Sequence, residues 1–200
     1  MTTPNETNLT SGDLDLESGD LDLLTAALTA DLTPLAPSPS IRERLLHTGP
    51  SRFARFARTL ADLIDVSVDR AKALLERALD LADPVRSAPD AWEPLPVPGA
   101  CTLWVDGGSA VAGCIRGFVR IPAGSDFPQH RHIGDEKVLV LDGAILDSSG
   151  QEFHPGDIAE MPAGSSHSYR ARDGGTDLLI FAVVREGIDI GDLIFRHRDP

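Results

Sequence analysis

Residues 124–143 read GSDFPQHRHIGDEKVLVLDG, and residues 156–167 read GDIAEMPAGSSH. His130 and His132 are one residue apart, a spacing that shares a face only on a strand, where side chains alternate with period two. Glu136 falls on that same face if the strand continues. With His167 from the second stretch, three neutral nitrogens and one anionic oxygen are available, a donor set that suits a first-row divalent metal. The other histidines read as surface groups: His47 ends a helix, His154 sits at a turn before Pro155, and His197 lies in a charged tail.

Around this stretch, from Cys101 onward, short β-rich pieces alternate with Gly, Pro, Asp and Ser turns: CTLWVD, AVAGCIRGFVRIP, KVLVLDG, AILD, DIAEMP, SYRAR and DLLIFAVV. Strands this short at this spacing indicate an all-β sandwich or barrel. Asp106-Gly107-Gly108-Ser109 is a two-residue hairpin signal. A turn there sets Cys101 opposite Cys114 in a non-hydrogen-bonded pair, so either a bridge or two buried thiols is expected; a reducing compartment favours thiols. Two cysteines are too few for a disulfide scaffold and do not have zinc-pair spacing.

Upstream of the β-rich region the rhythm is helical. Phe53, Phe56, Ala57, Leu60, Leu63 and Ile64 predict one amphipathic helix over 52–65. Val68, Ala71, Leu74, Leu75, Ala78, Leu79 and Ala82 predict a second over 68–82, capped by Ser67. Capping-box form at Ser40-Ile-Arg-Glu43 predicts a further helix to Gly49, and the leucines and alanines of 20–32 allow another. Such short helices cannot bury their stripes alone, so they should pack together, on the following domain, or on another subunit. Residues 84–98, with Trp92 and PLPVPG, read as a linker in which Trp92 anchors onto the barrel. Three segments follow: a flexible acidic tail over 1–35, a helical segment over 36–90, and a β-barrel domain over 91–200.

The 200-residue chain carries a formal charge of −13. Residues 1–41 hold seven acids and no Lys or Arg, with SGDLDL at 11–16 and again at 18–23. Acidity of this kind repels phosphate backbones and disfavours nucleic-acid partners. No apolar run approaches the roughly 20 residues of a membrane-spanning helix, and the N-terminus lacks the pattern of a signal peptide, so a soluble cytoplasmic protein is expected. Arg42, Arg44, Arg52, Arg55 and Arg58 read as a solvated face or as a contact for the acidic tail or an acidic partner.

The order Gly124, His130, His132, Glu136, Gly143, followed by Gly156, Pro162, Gly164 and His167, resembles the two motifs of the cupin superfamily; Ala171 stands where the family pattern often has Asn. The wording around it, with PSPSIRERLL upstream, is similar to the ChrR-like cupins, which occur as the C-terminal domain of ChrR-type zinc anti-sigma proteins and as standalone proteins. That resemblance implies a mainly β fold, a small jelly-roll barrel behind a short α-helical segment. It implies one metal held by His130, His132, Glu136 and His167, with zinc favoured and iron, manganese or nickel also accepted by those ligands. The His-x3-Cys-x2-Cys zinc site of the anti-sigma domain is missing, so a sigma-factor partner would require a zinc-free element in residues 20–83. Two functions follow: a sensory or regulatory metal-binding cupin that takes a small molecule or oxidant in its barrel, or an iron-dependent oxygenase acting on a small diketone or aromatic ketone. Tyr169, two residues past His167, should point inward as a pocket residue, and a homodimer is allowed.

Overall fold

The computed structural model describes residues 52–82, 91–174, 176–191 and 193–196. The readings made for 1–51, among them the acidic tail, the helices over 20–32 and 40–49, His47, Arg42 and Arg44, lie outside the described residues, as does His197. Residues 50–200 form one compact unit. It is mainly β: two antiparallel sheets of six strands each, behind a short helical segment.

The strands are β1 (Glu93–Pro94), β2 (Cys101–Trp104), β3 (Ile115–Ile121), β4 (Asp126–His132), β5 (Glu136–Asp142), β6 (Ile145–Asp147), β7 (Glu152–Phe153), β8 (Ile158–Met161), β9 (Ser166–Ala171), β10 (Leu178–Val184), β11 (Ile188–Ile190) and β12 (Leu193–Phe195). The first sheet runs β1-β2-β3-β10-β5-β8 and the second β12-β11-β4-β9-β6-β7. Their inner faces meet in one apolar cluster: Val138, Val140, Ile180 and Ala182 come from the first sheet, and Phe127, Ile145 and Ala171 from the second. Ala171, the departure from the family pattern, is fully buried there and pairs with Ile145.

The outer face of the first sheet is covered by helices. A 3-10 turn (Ala54–Phe56) leads into α1 (Ala57–Ile64), and α2 (Val68–Ala82) follows. The backbone N–H of Arg70 donates to Ser67 Oγ at 3.2 Å, the cap expected from sequence. Phe53, Phe56, Leu60 and Ile64 of the first helical run and Leu74 and Leu75 of α2 pack on Phe118, Leu139, Leu141, Leu179, Phe181 and Val183. An eight-residue helix is far too short to persist alone in water. Burial of its large apolar side chains, at about 1.5–3 kcal/mol each, supplies what propensity does not. Of the three packing alternatives, the helices take two, each other and the following domain. β10 therefore has apolar neighbours on both faces, and all seven of its residues are buried.

Three expectations are corrected. Residues 106–109 do not make a hairpin turn: β2 and β3 pair Trp104 with Gly117 and Cys101 with Arg120, and a longer connection holds a 3-10 turn at Ser109–Val111. The two glycines serve a close approach instead. Gly108 N donates to Ile64 O at 2.8 Å, Ala110 N donates to Asp65 Oδ2 at 3.0 Å, and a Cβ on Gly108 would stand 1.9 Å from Asp65 O. Cys101 consequently does not face Cys114, and both are free thiols; burial pushes the Cys101 thiol pKa upward. The third correction concerns 84–98: its described part is not mere linker, because β1 pairs with β2 and Val97 is buried in the barrel cluster. Trp92 packs against the helix-side cluster.

Candidate metal centre

β4 carries His130 and His132, and an irregularity in that strand aims them. Phe127 pairs with Tyr169 and His130 with His167, so three steps along β4 match two along β9. The extra residue is a bulge, of the kind found beside functional sites, and it falls at Pro128-Gln129, where proline has no ladder N–H to lose. Its effect is to turn Phe127, His130 and His132 all inward, in a burial pattern that strict alternation would forbid. It also frees the carbonyl of Pro128 for a second use.

Glu136 arrives differently from the way its spacing suggested. The strand does not continue from His132; the chain turns at 133–135 and crosses, so Glu136 opens β5 in the opposite sheet. Ile133 N donates to Gly187 O and Gly134 N to Arg185 O, and a Cβ at Gly134 would stand 2.5 Å from Arg185 O. Only glycine fits that crossing. The carboxylate thus faces the imidazoles across the barrel rather than lying beside them.

The result is a tight set. His130, His132, Glu136 and His167 each offer a ligand atom, and these atoms lie within 4.8 Å of one another. Residue exposure is 3% for His130, 0% for His132 and 8% for Glu136. Each imidazole spends its Nδ1–H away from the centre. His130 Nδ1 donates to Pro128 O at 2.9 Å. His132 Nδ1 donates to Ser165 Oγ at 3.0 Å, whose own hydroxyl donates to Pro162 O. His167 Nδ1 donates to Asp147 Oδ2 at 2.5 Å. These partners fix the tautomer and leave three Nε2 lone pairs pointing inward.

Lone pairs then meet lone pairs. Nε2 of His130 and His167 are 3.1 Å apart, and Nε2 of His132 is 2.6 Å from Glu136 Oε2, yet both of the latter atoms lack a hydrogen-bond partner. A single shared proton would satisfy one such pair and leave the other opposed. One divalent cation among the four satisfies all of them, so these residues fit a metal ion. Burial, the largest influence on His130, lowers its pKa and favours the free base that coordination requires.

Beside the centre is a cavity of about 190 Å³ between the sheets, lined in part by Glu136, His167 and Tyr169. The Tyr169 ring stacks on Phe127 with centroids 4.9 Å apart and planes at 1°. Its hydroxyl pKa is pushed well above the ordinary value by burial and by the charge of Glu136. His154 is exposed, near Glu152, and takes no part. Asp147 and Ser165 are not distinguished by sequence alone. Asp147 sits where β6 ends in the turn at Asp147-Ser148-Ser149-Gly150 and also accepts the backbone N–H of Ser149 at 2.7 Å. A turn-forming Asp before Ser-Ser-Gly looks purely local in sequence; only the pairing of Asp147 with Tyr169 on β9 brings it to His167.

Residues 85–183 match the family model of the ChrR cupin-like domain. The chain carries a ChrR-like cupin domain. No curated protein matches it. Among solved structures, the cupin is similar to a chain of the Rhodobacter sphaeroides SigE complex with the anti-sigma ChrR, at 23% identity and TM-score 0.47 over 83% of this chain and 77% of that one. It is also similar to an acetylacetone dioxygenase from Acinetobacter johnsonii, at 14% identity and TM-score 0.46 over 57% and 85% of the two chains. An rmlc-like cupin protein from Ralstonia eutropha JMP134 matches at 21% identity and TM-score 0.44, over 52% and 73%. No described helix of the cupin is long and apolar enough to cross a membrane.

Proposed function

We propose that this cupin is a cytoplasmic regulatory protein that holds one divalent metal, zinc first among the choices, on His130, His132, Glu136 and His167. The observation that carries the metal is the convergence of three imidazole lone pairs and a carboxylate whose ring N–H groups are all engaged elsewhere. When bound, the metal supplies a Lewis-acidic position toward the cavity. Pro128, Ser165 and Asp147 orient the rings, and the apolar walls limit water.

The regulatory half rests on what the site lacks and what lies behind it. Among the described residues lining the cavity each candidate base is engaged: Asp147 by His167 and Ser149, Glu160 by Lys137, and Ser165 Oγ by His132 and Pro162, while Tyr169 keeps its proton. β5 carries Glu136 at its start and, three and five residues on, Leu139 and Leu141 in the helix-packed cluster. A ligand that shifts β5 would be felt by α1 and α2. A sigma-factor partner stays within this proposal only through residues 20–83, where the apolar stripes of α1 and α2 are already packed on the barrel.

The second reading is a metal-dependent oxygenase acting on a small diketone or aromatic ketone, favoured by a cavity that opens beside Glu136 and His167. Two experiments decide. Elemental analysis should find about one metal per chain, falling at least tenfold in His132→Ala and in Glu136→Ala; stoichiometric metal in both variants refutes the ligand set. Steady dioxygen consumption by Fe(II)-loaded protein with a ketone substrate would replace regulation with catalysis.

A further inference from the structure

The walls of the cavity say what kind of molecule it accepts, given the metal assignment above on which this inference rests. Val138, Ile145, Phe153, Ala159 and Met161 line it, and no lysine or arginine is among its described lining residues. Glu136 and Asp147 face the centre and balance a divalent ion with neutral imidazoles. The third lining carboxylate, the exposed Glu160, is paired with Lys137 at 2.7 Å, so the site as a whole has no charge left to pair. A ligand anion would be buried without a counter-ion beyond the metal, and a cation would be set against the metal itself. Burial of an uncompensated charge is expensive. An engineered apolar cavity of about 150 Å³ holds benzene, so a space of about 190 Å³ accommodates one ring with a short polar substituent.

We propose that the cavity selects uncharged molecules of single-ring size, which place one oxygen toward the metal and an apolar body against Val138, Ile145, Ala159 and Met161. Charge, more than shape, is the basis of the selection. Gln151 and Ser166 are its exposed neutral polar lining side chains, and Gln151 is the longer of the two.

Three probes of nearly equal shape and different charge test this: benzamide, benzoate and benzamidinium, titrated calorimetrically into full-length protein loaded with zinc. Benzamide should bind about tenfold or more tightly than either ion. Ala159→Leu, which fills the cavity, should lose benzamide binding while its zinc content stays that of wild type. Gln151→Arg, a surface change that the fold tolerates, should bring benzoate up to or beyond benzamide. Benzoate or benzamidinium binding as tightly as benzamide to the wild type overturns the proposal, as does no benzamide binding, or unchanged binding in Ala159→Leu. Zinc taken up together with a preference for an ion sinks the charge selection alone; failure to take up zinc sinks the metal reading and this inference with it.

Discussion

Asp147 shows how one side chain reaches into the centre without being part of it. Its carboxylate accepts the Nδ1–H of His167 and the backbone N–H of Ser149. Burial by itself would raise its pKa, but the bonds from Ser149 and the His167 ring outweigh that, and the carboxyl titrates below its ordinary range. An ionised acceptor makes the imidazole a stronger donor toward a metal, and loss of such a partner commonly costs 10–100-fold in affinity. Asp147→Asn, which keeps an acceptor of the same shape but no charge, should lose about tenfold in zinc affinity, and Asp147→Ala more. Competition with a chromophoric chelator measures both; equal affinity in all three proteins would make Asp147 a turn residue only. A merely structural role would not rank Asn between Asp and Ala while leaving the melting temperature of the metal-free protein alike. Legibility at this scale was uneven. The histidines and Glu136 stand out by chemical type, although the spacing of Glu136 pointed to the wrong strand, whereas Asp147 and Ser165 are ordinary turn residues until the fold sets them against a ring nitrogen.

The elements divide along the same line. Helical stripes were readable because each periodicity is local: Ser67 caps α2, and Phe56, Leu60 and Ile64 fall on one face of the first helical run whatever they pack against. The strand content was readable too, from short β-branched pieces between turn residues. What could not be read was where strands change sheet or change phase. The bulge at Pro128-Gln129 reverses the facing of Phe127 relative to His130, and the crossing at 133–135 sends Glu136 to the other wall. Both depend on long-range contacts, the latter on Arg185 and Gly187. Asp106-Gly107-Gly108-Ser109 misled for a related reason, since glycine permits a tight turn and a close backbone approach equally well. That approach is testable. Gly108→Ala sets a Cβ against Asp65 O, where α1 ends in a left-handed residue at φ 56. Overpacking there should destabilise by about 1–3 kcal/mol in chemical denaturation, although the φ of Gly108, −75, suits alanine well. An unchanged midpoint would show that the loop moves aside freely.

At the scale of the whole molecule, a metal held at this centre would be linked to stability through acid. His130 has a lowered pKa in the folded state, chiefly from burial, against an ordinary value of 6.5. A histidine depressed on folding contributes stability above its unfolded pKa, and that contribution is lost as pH falls through the lower folded value, because the unfolded chain takes up the proton first. Metal binding has the same sign, since each imidazole must give up a competing proton. The melting temperature should therefore be highest above about pH 7, and the gap between zinc-loaded and chelated protein should close between about pH 7 and 5. A gap that stays constant down to pH 5 would separate the metal from the histidines. Saturating metal at about a hundred times its dissociation constant adds about 2.7 kcal/mol at neutral pH, enough for calorimetry to resolve.

The double burial of β10 has a consequence for how the chain comes to be folded. β3 and β5 are not neighbours; β10 lies between them and pairs with both. Residues 115–142 therefore cannot complete this sheet without residues 178–184, which stand between β3 and β5. LLIFAVV is uncharged and free of proline, the kind of segment that stacks with copies of itself when left exposed. The last piece to complete the platform is also the piece with most to lose by arriving late. Amide protons of β10 should be the slowest to exchange in the native protein, and slow, concentration-dependent losses on refolding should trace to this one strand.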